Sequence, residues 1–316
     1  NLYFRTRMNQ RITAHLALLG ANMFYGAGFT VAKIVMPSLI QPKGFILIRV
    51  ALVTMMFWLS YFGGEKFKTK IDKKDWKRLA FCALFGVATN QLLFFSGLSL
   101  TSPIHASLMM LSTPILVSLF AVYALRDKFS VNKLIGLILG VSGAAVLVIL
   151  GGKEKVASNA LLGDLFVFLN ATSYAIYLVI AKPLMSKYRP IIVIRWVFLI
   201  GLLFVFPFGI KDYLQIDWSL FSFNDYAVVA FIVVCCTFFT YLWNIYALQI
   251  LSSSTAGAYI YLQPVFAAFI AVIFYNEHLS VVKIISSLLI FTGVYMVSIP
   301  KKSYFKVEGG VVHSES

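Results

Sequence analysis

The sequence predicts an all-α integral membrane protein with ten transmembrane helices in two inverted five-helix repeats. Three observations lead to this fold class. Hydrophobic residues make up 60% of the chain, charged residues make up 12%, and the mean hydropathy is +0.86. The apolar residues form runs of about 20, the length at which a helix crosses the hydrocarbon core of a bilayer. One long stretch also occurs twice, without a gap, at an offset of 150 residues.

The duplicated stretch defines two repeats of the same architecture. Identical residues recur in register at Ser102/Ser252, Ala106/Ala256, Pro114/Pro264, Ser130/Ser280 and Gly143/Gly293. Earlier in each copy, Arg49 recurs as Arg195 at an offset of 146. Each copy holds five apolar runs, an odd number, so the second copy must enter the membrane from the opposite side. The two repeats are therefore assigned to residues 14–150 and 160–299.

Ten apolar runs are predicted to be membrane spans, numbered one to ten. They are Ala14–Met36, Gly44–Phe62, Lys77–Leu98, Ser102–Ala124, Val131–Leu150, Ala160–Ala181, Tyr188–Phe208, Tyr226–Leu248, Ser253–Phe274 and Val281–Ile299. Most of the 27 Lys and Arg residues fall on one side of the membrane when the N-terminus is placed inside. By the positive-inside rule both termini are cytoplasmic. The expected location is a plasma membrane, with a bacterial inner membrane favoured.

The remaining composition argues against three other classes of protein. The basic loops explain the net charge of +15, so nucleic-acid binding is not expected. The cysteines, Cys82, Cys235 and Cys236, lie in apolar runs without zinc-site spacing. Because the histidines are scattered, no metal or other cofactor is expected. An integral membrane enzyme would need clustered His, Asp, Glu or Cys, and the sequence shows no such cluster.

Six of the spans carry polar or aromatic residues at helical spacing, which gives each of them a polar face. These are spans one, three, four, six, eight and nine, and the faces lie at matching positions of the two repeats. They predict a central substrate cavity with the other four spans outside it. The residues predicted to bind substrate are Asn22, Tyr25, Lys33, Asn90, Met109, Asn170, Tyr174, Tyr241, Trp243, Asn244, Tyr259 and Gln263. For any single residue, interhelical hydrogen bonding is the alternative.

Five further residues have two interpretations each. Lys33 lies about one turn from the outer end of span one, so its ammonium group either snorkels to the interface or attracts a substrate carboxylate. Arg49 and Arg195 are equivalent residues, which favours a structural role in which they pair with loop carbonyls. Pro114 and Pro264 are expected inside helices near mid-membrane, where each frees a carbonyl group. The result is either a harmless kink or a gating element.

Several motifs resemble the EamA-type members of the drug/metabolite transporter superfamily. Asn22–Lys33 is similar to the first-helix pattern of an aromatic residue, a glycine, small residues and a lysine. Pro42–Arg49 resembles the second-helix segment that ends in arginine. Ser102–Gly143 and Ser252–Gly293 resemble the repeated block with its mid-helix proline, and the whole resemblance covers roughly Ala14–Ile299. It implies ten helices, a cavity among helices one, three, four, six, eight and nine, and export of small metabolites such as amino acids.

Two positions depart from that family pattern: Asp127 stands where Glu is frequent, and Tyr25 where Trp is common. The sequence predicts a secondary transporter that exports amino acids or similar small metabolites by alternating access. Its expected partners are a small-molecule substrate and membrane lipid, and it is expected to be a monomer or a weak homodimer. A transporter of phosphorylated or nucleotide-sugar substrates is one alternative, although it would need several cations at mid-depth. A non-transporting membrane scaffold or a lipid scramblase is the alternative from another class.

Overall fold

The chain forms a helical bundle in the computed structural model, which describes residues 2–60, 70–101, 106, 109–126, 130–151, 160–266, 269, 281–299, 303–307 and 310–314. The helices are α1 (Leu2–Val35), α2 (Pro42–Leu59), α3 (Lys73–Leu100), α4 (Thr113–Leu125), α5 (Val131–Gly151), α6 (Ala160–Lys187), α7 (Pro190–Leu214), α8 (Phe223–Ile250), α9 (Ser253–Ala258) and α10 (Val281–Ser298). A 3₁₀ turn precedes α8 at Trp218–Leu220, and another follows α9 at Tyr259–Tyr261. After α10, strands β1 (Ser303–Val307) and β2 (Gly310–Ser314) form an antiparallel hairpin.

The described helices have the length and surface of a membrane protein. Five of them, α2, α3, α6, α7 and α8, are long and apolar enough to cross a bilayer, and α4, α5 and α10 hold shorter apolar segments. Large apolar side chains point outward: Leu119, Leu203 and Leu288 are each more than half exposed. In water such a surface would be a large apolar patch, but against lipid it costs nothing. The prediction of a predominantly helical membrane protein is confirmed.

Equivalent helices of the two sequence repeats pack together in antiparallel pairs. Gly44, near the start of α2, lies against the end of α7, where an added Cβ would come within 3.0 Å of the carbonyl carbon of Asp212. Gly136, near the start of α5, lies against the end of α10, where an added Cβ would come within 2.8 Å of a Val297 methyl group. Glycine allows these backbones to approach closely. Antiparallel packing of equivalent helices is the relation that an inverted repeat produces.

The prediction that Pro114 and Pro264 lie inside continuous helices is wrong. Pro114 occupies the first turn of α4, which begins at Thr113. Pro264 lies in a helical stretch at residues 262–266, which follows the 3₁₀ turn after α9. A proline is favoured in the first turn of a helix because the amide hydrogen it lacks would have no intrahelical acceptor there. Spans four and nine are therefore interrupted, and each proline lies near the start of a new helical stretch.

Helices α3 and α8 each contain a π-helical segment, and the two segments are equivalent in the repeats. The sequence analysis did not predict either one. A π segment displaces backbone carbonyls from their usual acceptor positions, so these groups need other donors. The order in α3 is Trp76–Ala83, the π segment Leu84–Ala88 and Thr89–Leu100; in α8 it is Phe223–Val233, the π segment Val234–Phe239 and Thr240–Ile250.

Ion pairs join the end of α6 to the start of α3. The Lys187 ammonium group donates to the carboxylates of Asp72 and Asp75, at 2.6 Å for Asp75, and the Tyr188 hydroxyl donates to Asp75 at 2.7 Å. These two donors hold the pKa of the Asp75 carboxyl below its usual value. Lys187 and Asp72 are exposed to solvent and Asp75 is partly buried, so these pairs contribute little to stability.

The Asp75 carboxyl should give a small, pH-dependent stabilisation. Its pKa is lower in the folded state, so its contribution is fully present above the unfolded pKa of about 3.9 and is lost as the pH falls through the folded-state pKa. We expect Asp75→Asn to unfold at a slightly lower temperature than wild type at pH 7, with the difference shrinking at about pH 3. Thermal unfolding of both proteins in detergent, measured between about pH 3 and pH 7, checks this expectation. A difference that does not change with pH would contradict this assignment.

Candidate functional site

A cavity of about 90 Å³ lies in the interior of the bundle, with residues from both sequence repeats in its wall. The six predicted spans all contribute to the wall, and α2 contributes as well. The space is large enough for several water molecules. The residues around it are Tyr25, Gly28, Arg49, Asn90, Gln91, Phe94, Phe95, Met110, Asn170, Tyr174, Ile232, Cys236, Tyr241 and Gln263.

Half of the predicted substrate-binding residues are brought together in this wall. They come from α1, α3, α6 and α8 and from the stretch after α9. Helical spacing alone had placed them on inward faces, and the structure assembles those faces around one cavity. These residues are Tyr25, Asn90, Asn170, Tyr174, Tyr241 and Gln263.

Asn22 and Asn244 are buried but do not line the cavity, contrary to the prediction. The Asn22 amide donates to the Leu18 carbonyl at 2.8 Å, and its oxygen accepts from the Gln263 amide at 2.9 Å. The Asn244 amide donates to the Thr240 carbonyl at 2.8 Å, one turn earlier in α8. For both residues the alternative of internal hydrogen bonding describes what the structure shows. Asn22 still acts on the site, because it fixes the position of Gln263.

Met109 and Trp243 also lie outside the wall. Met109 packs half-buried against the core, and its neighbour Met110 lines the cavity instead. The Trp243 ring stacks on Phe24, with 5.7 Å between ring centroids, and borders a recess on another face of the bundle. Residues two positions apart on a helix face in nearly opposite directions, so Trp243 and Tyr241 cannot both face the cavity. The side chain of Lys33 lies outside the described residues.

The π segment of α3 is held by side chains from the opposite repeat. The Ser173 hydroxyl of α6 donates to the Phe85 carbonyl at 2.7 Å, and the Tyr241 hydroxyl of α8 donates to the Gly86 carbonyl at 2.7 Å. A Cβ on Gly86 would overlap the ring of Tyr177, so glycine is needed for α6 to approach. The displaced carbonyls thus obtain donors, and Tyr241 is fixed in the cavity wall.

Gln91 was missed by the sequence analysis, although a signal for it was available. At the offset of 150 it is equivalent to Tyr241, which was predicted. The Gln91 amide donates to the Tyr241 hydroxyl at 3.4 Å, so the two equivalent residues meet. Next to them, the Asn170 amide donates to the Asn90 carbonyl at 2.7 Å. The polar part of the wall is therefore a network that joins α3, α6 and α8.

Arg49 lies in the cavity wall, which the sequence analysis did not predict. It is 4% exposed, and its Nε and Nη2 atoms donate to the Thr237 hydroxyl at 3.1 and 2.7 Å. Its guanidinium carbon lies 4.4 Å from the ring centroid of Phe95. The equivalent Arg195 lies instead over the ring of Trp58, at 5.2 Å, and does not line the cavity. The repeat symmetry of the two arginines is thus broken at the site.

A second cavity, of about 570 Å³, opens at the end of the bundle where α1 begins. The described part of its wall includes Arg11, Arg126, Lys133 and Lys182, together with His15, serines and Thr255, but no Asp or Glu. Tyr259 lies one turn beyond Thr255, and its hydroxyl is 2.7 Å from Nδ1 of His15. One further turn along, Gln263 lines the central cavity. Tyr259 therefore lies between the two cavities and does not line the central one as predicted.

Comparison with known proteins identifies the family. The EamA-like transporter family matches the chain twice, at residues 12–149 and 161–299. An uncharacterized transporter of Archaeoglobus fulgidus is 25% identical over 288 residues, 89% of this chain and 96% of its own. The uncharacterized transporter YetK of Bacillus subtilis is 23% identical, covering 93% of this chain and 89% of its own. A WAT1-related protein of Arabidopsis thaliana is 25% identical, and the match covers 82% of this chain and 77% of that protein.

A known structure has the same fold. A crystal structure of another protein superimposes with a TM-score of 0.70 at 16% identity and covers 90% of this chain and 96% of that one. At this identity the likeness concerns the fold alone. The two family matches span most of the chain. The relatives from Archaeoglobus fulgidus and Bacillus subtilis are named as transporters rather than as enzymes. The chain belongs to the EamA-like transporter family and is a multi-pass membrane transporter, as its sequence motifs predicted.

Proposed function

We propose that the protein is a secondary transporter that exports amino acids or similarly small metabolites by alternating access. The observation that carries this proposal is the central cavity, whose wall combines amide, arginine and aromatic side chains from both repeats. A site near the interface of two repeats is where secondary transporters bind their substrates.

The proposed topology has ten spans in two inverted repeats, residues 14–150 and 160–299. The antiparallel pairs α2/α7 and α5/α10 support the inversion. Both termini are placed in the cytoplasm, and the membrane is taken to be a plasma membrane. The basic residues at the end where α1 begins, among them Arg11, Arg126 and Lys182, support this orientation. The oligomeric state proposed is a monomer or a weak homodimer.

Alternating access requires a barrier that opens on one side of the site at a time. The hydrogen bonds of Tyr259 with His15 and of Gln263 with Asn22 join α1 to the stretch after α9, between the two cavities. The central cavity is smaller than the roughly 300–1,000 Å³ of most ligand pockets, so admitting a substrate requires these segments to part. The larger cavity lies on the side assigned to the cytoplasm, from which an exported substrate would enter.

The chemistry of the wall favours a small organic substrate over a phosphorylated one. Aromatic rings such as Tyr174 and Phe94 provide apolar and cation–π surface, and amides such as Asn170 and Gln263 provide hydrogen bonds. Among the wall residues that the structure describes, Arg49 alone is a cation. A phosphate group or a nucleotide sugar would require several cations at this depth.

Uptake into proteoliposomes tests the proposal. The purified protein, reconstituted in liposomes, is supplied with a panel of radiolabelled amino acids, and accumulation is compared with protein-free liposomes. We expect at least one member to move down its gradient and unlabelled substrate inside to accelerate its entry. If no member moves, amino-acid transport is wrong; if labelled lipid crosses the bilayer instead, the scramblase alternative is favoured.

A further inference from the structure

We propose that Arg49 binds the carboxylate of the substrate. The amide oxygens of Gln91 and Asn170 then accept hydrogen bonds from the ammonium group of the same substrate. The site would then recognise a zwitterionic α-amino acid. This inference rests on the proposed function. It adds which residues of the cavity wall contact each charged group of the substrate.

The first observation is an incomplete set of hydrogen bonds on Arg49. Two of its nitrogens donate to Thr237, but Nη1 is buried without a hydrogen-bond partner. An arginine fork has five donors, and a carboxylate matches two of them in one plane. Within the described part of the wall there is no Asp or Glu to act as counter-ion. A buried cation without a counter-ion is costly, so an anion supplied by the substrate would complete the site.

The second observation is a pair of buried acceptors in the same wall. The oxygens Oε1 of Gln91 and Oδ1 of Asn170 have no hydrogen-bond partner, and both residues are at most 2% exposed. Their amide nitrogens are already used, by Tyr241 and by the Asn90 carbonyl. An ammonium group is a pure donor, so it suits two free carbonyl oxygens. One free cationic donor and two free neutral acceptors together match a zwitterion better than a simple anion.

The rest of the wall indicates an apolar side chain. Phe94, Phe95, Met110 and Ile232 line the cavity with apolar surface. A second charged group on the substrate would have no partner on those faces, and its burial would be unfavourable. L-Leucine and L-phenylalanine are therefore the probes of choice.

Thermal unfolding of the purified full-length protein with matched compounds tests the assignment. L-Leucine has both charged groups, L-leucinamide lacks the carboxylate, and 4-methylpentanoate lacks the ammonium group. The pH is about 6.5, below the ordinary α-amino pKa of roughly 7.7–8.0, so that the amines are charged. In wild type we expect leucine to raise the unfolding temperature at a concentration roughly tenfold to a hundredfold below that required of either analogue. If leucine and leucinamide act alike, or if neither leucine nor phenylalanine stabilises the protein, the inference is wrong.

Two variants and one control assign the effect to residues. In Arg49→Gln, leucine should lose its advantage over leucinamide, whereas Arg195→Gln, the equivalent arginine outside the wall, should retain it. If Arg49→Gln fails to fold, Arg49→Lys keeps the charge and should retain a reduced preference for leucine. In Gln91→Met, the difference between leucine and 4-methylpentanoate should shrink. A preference for the carboxylate that survives in Arg49→Gln would overturn the role of Arg49.

The same probes separate this inference from the proposed function. If leucine binds with these preferences but does not cross the proteoliposome membrane, the export of leucine is wrong and the site assignment stands. If leucine crosses but Arg49→Gln transports leucine and leucinamide in the wild-type ratio, transport stands and the site assignment is wrong.

Discussion

Replacing Gln263 with alanine should lower substrate flux by more than about tenfold while the protein still folds. Gln263 lines the central cavity, so the change removes an amide group that the proposed site offers to substrate. Losing one hydrogen bond of about 1.5 kcal/mol between Gln263 and the substrate in the transport transition state corresponds to a tenfold change in rate. Initial rates of radiolabelled amino-acid uptake in proteoliposomes measure the effect.

The control for this variant is Gln249→Ala. Gln249 is the same residue type, lies near the end of α8, is exposed and borders a recess on another face of the bundle. We expect this variant to transport at the wild-type rate. In Gln263→Ala the buried Asn22 side-chain oxygen loses its hydrogen-bond donor, which costs roughly 1–3 kcal/mol of stability. The size-exclusion profiles of this variant and wild type should therefore be compared before flux is measured. Normal flux through Gln263→Ala would show that the wall is assigned to the wrong residues.

Replacing Gly140 with alanine should destabilise the protein by roughly 1–3 kcal/mol. A Cβ at this position would overlap the ring of Tyr261, which is fully buried, and the backbone of Gly140 lies directly against Gly293 of α10. The Tyr261 ring is enclosed on all sides, so the added methyl group must push α5 away from the 3₁₀ turn that follows α9. The change should lower the thermal unfolding temperature in detergent and the yield of monodisperse protein.

Gly28→Ala is the matched control for the same substitution. Its added Cβ would lie 3.4 Å from Sγ of Cys236, an ordinary van der Waals distance, and α1 continues on both sides. Alanine is favoured over glycine in a helix by about 0.8–1.0 kcal/mol, so this variant should be as stable as wild type or more stable. Equal unfolding temperatures for Gly140→Ala and wild type would mean that the close approach of α5 to Tyr261 is wrong.

Much of the architecture follows from the sequence because the repeat leaves a visible trace in it. Two copies of an odd number of predicted spans lead to the proposal of inversion, and helical spacing identifies inward faces wherever a polar residue would otherwise face lipid. That reasoning placed Tyr25, Asn170 and Gln263 around one cavity. It failed for Trp243, which was grouped with Tyr241 by proximity along the chain although the two face nearly opposite directions.

Other features depend on tertiary contacts that periodicity does not record. The π segment of α3 is stabilised by Ser173 and Tyr241, which donate to its displaced carbonyls from the other repeat. Arg49 and Arg195 occupy equivalent positions in the sequence. They differ because Thr237 and Phe95 receive one guanidinium group, whereas Trp58 lies under the other. Only the packed structure breaks that symmetry.

Labelling of a single cysteine in the cavity wall tests most directly whether this cavity is the transport path. Tyr174→Cys would be introduced after Cys82, Cys235 and Cys236 are replaced by alanine or serine, and a membrane-impermeant thiol reagent would be applied to either side of oriented vesicles. Alternating access predicts labelling from both sides, slowed by a transported amino acid. Labelling from neither side, or labelling that substrate does not slow, would contradict the account.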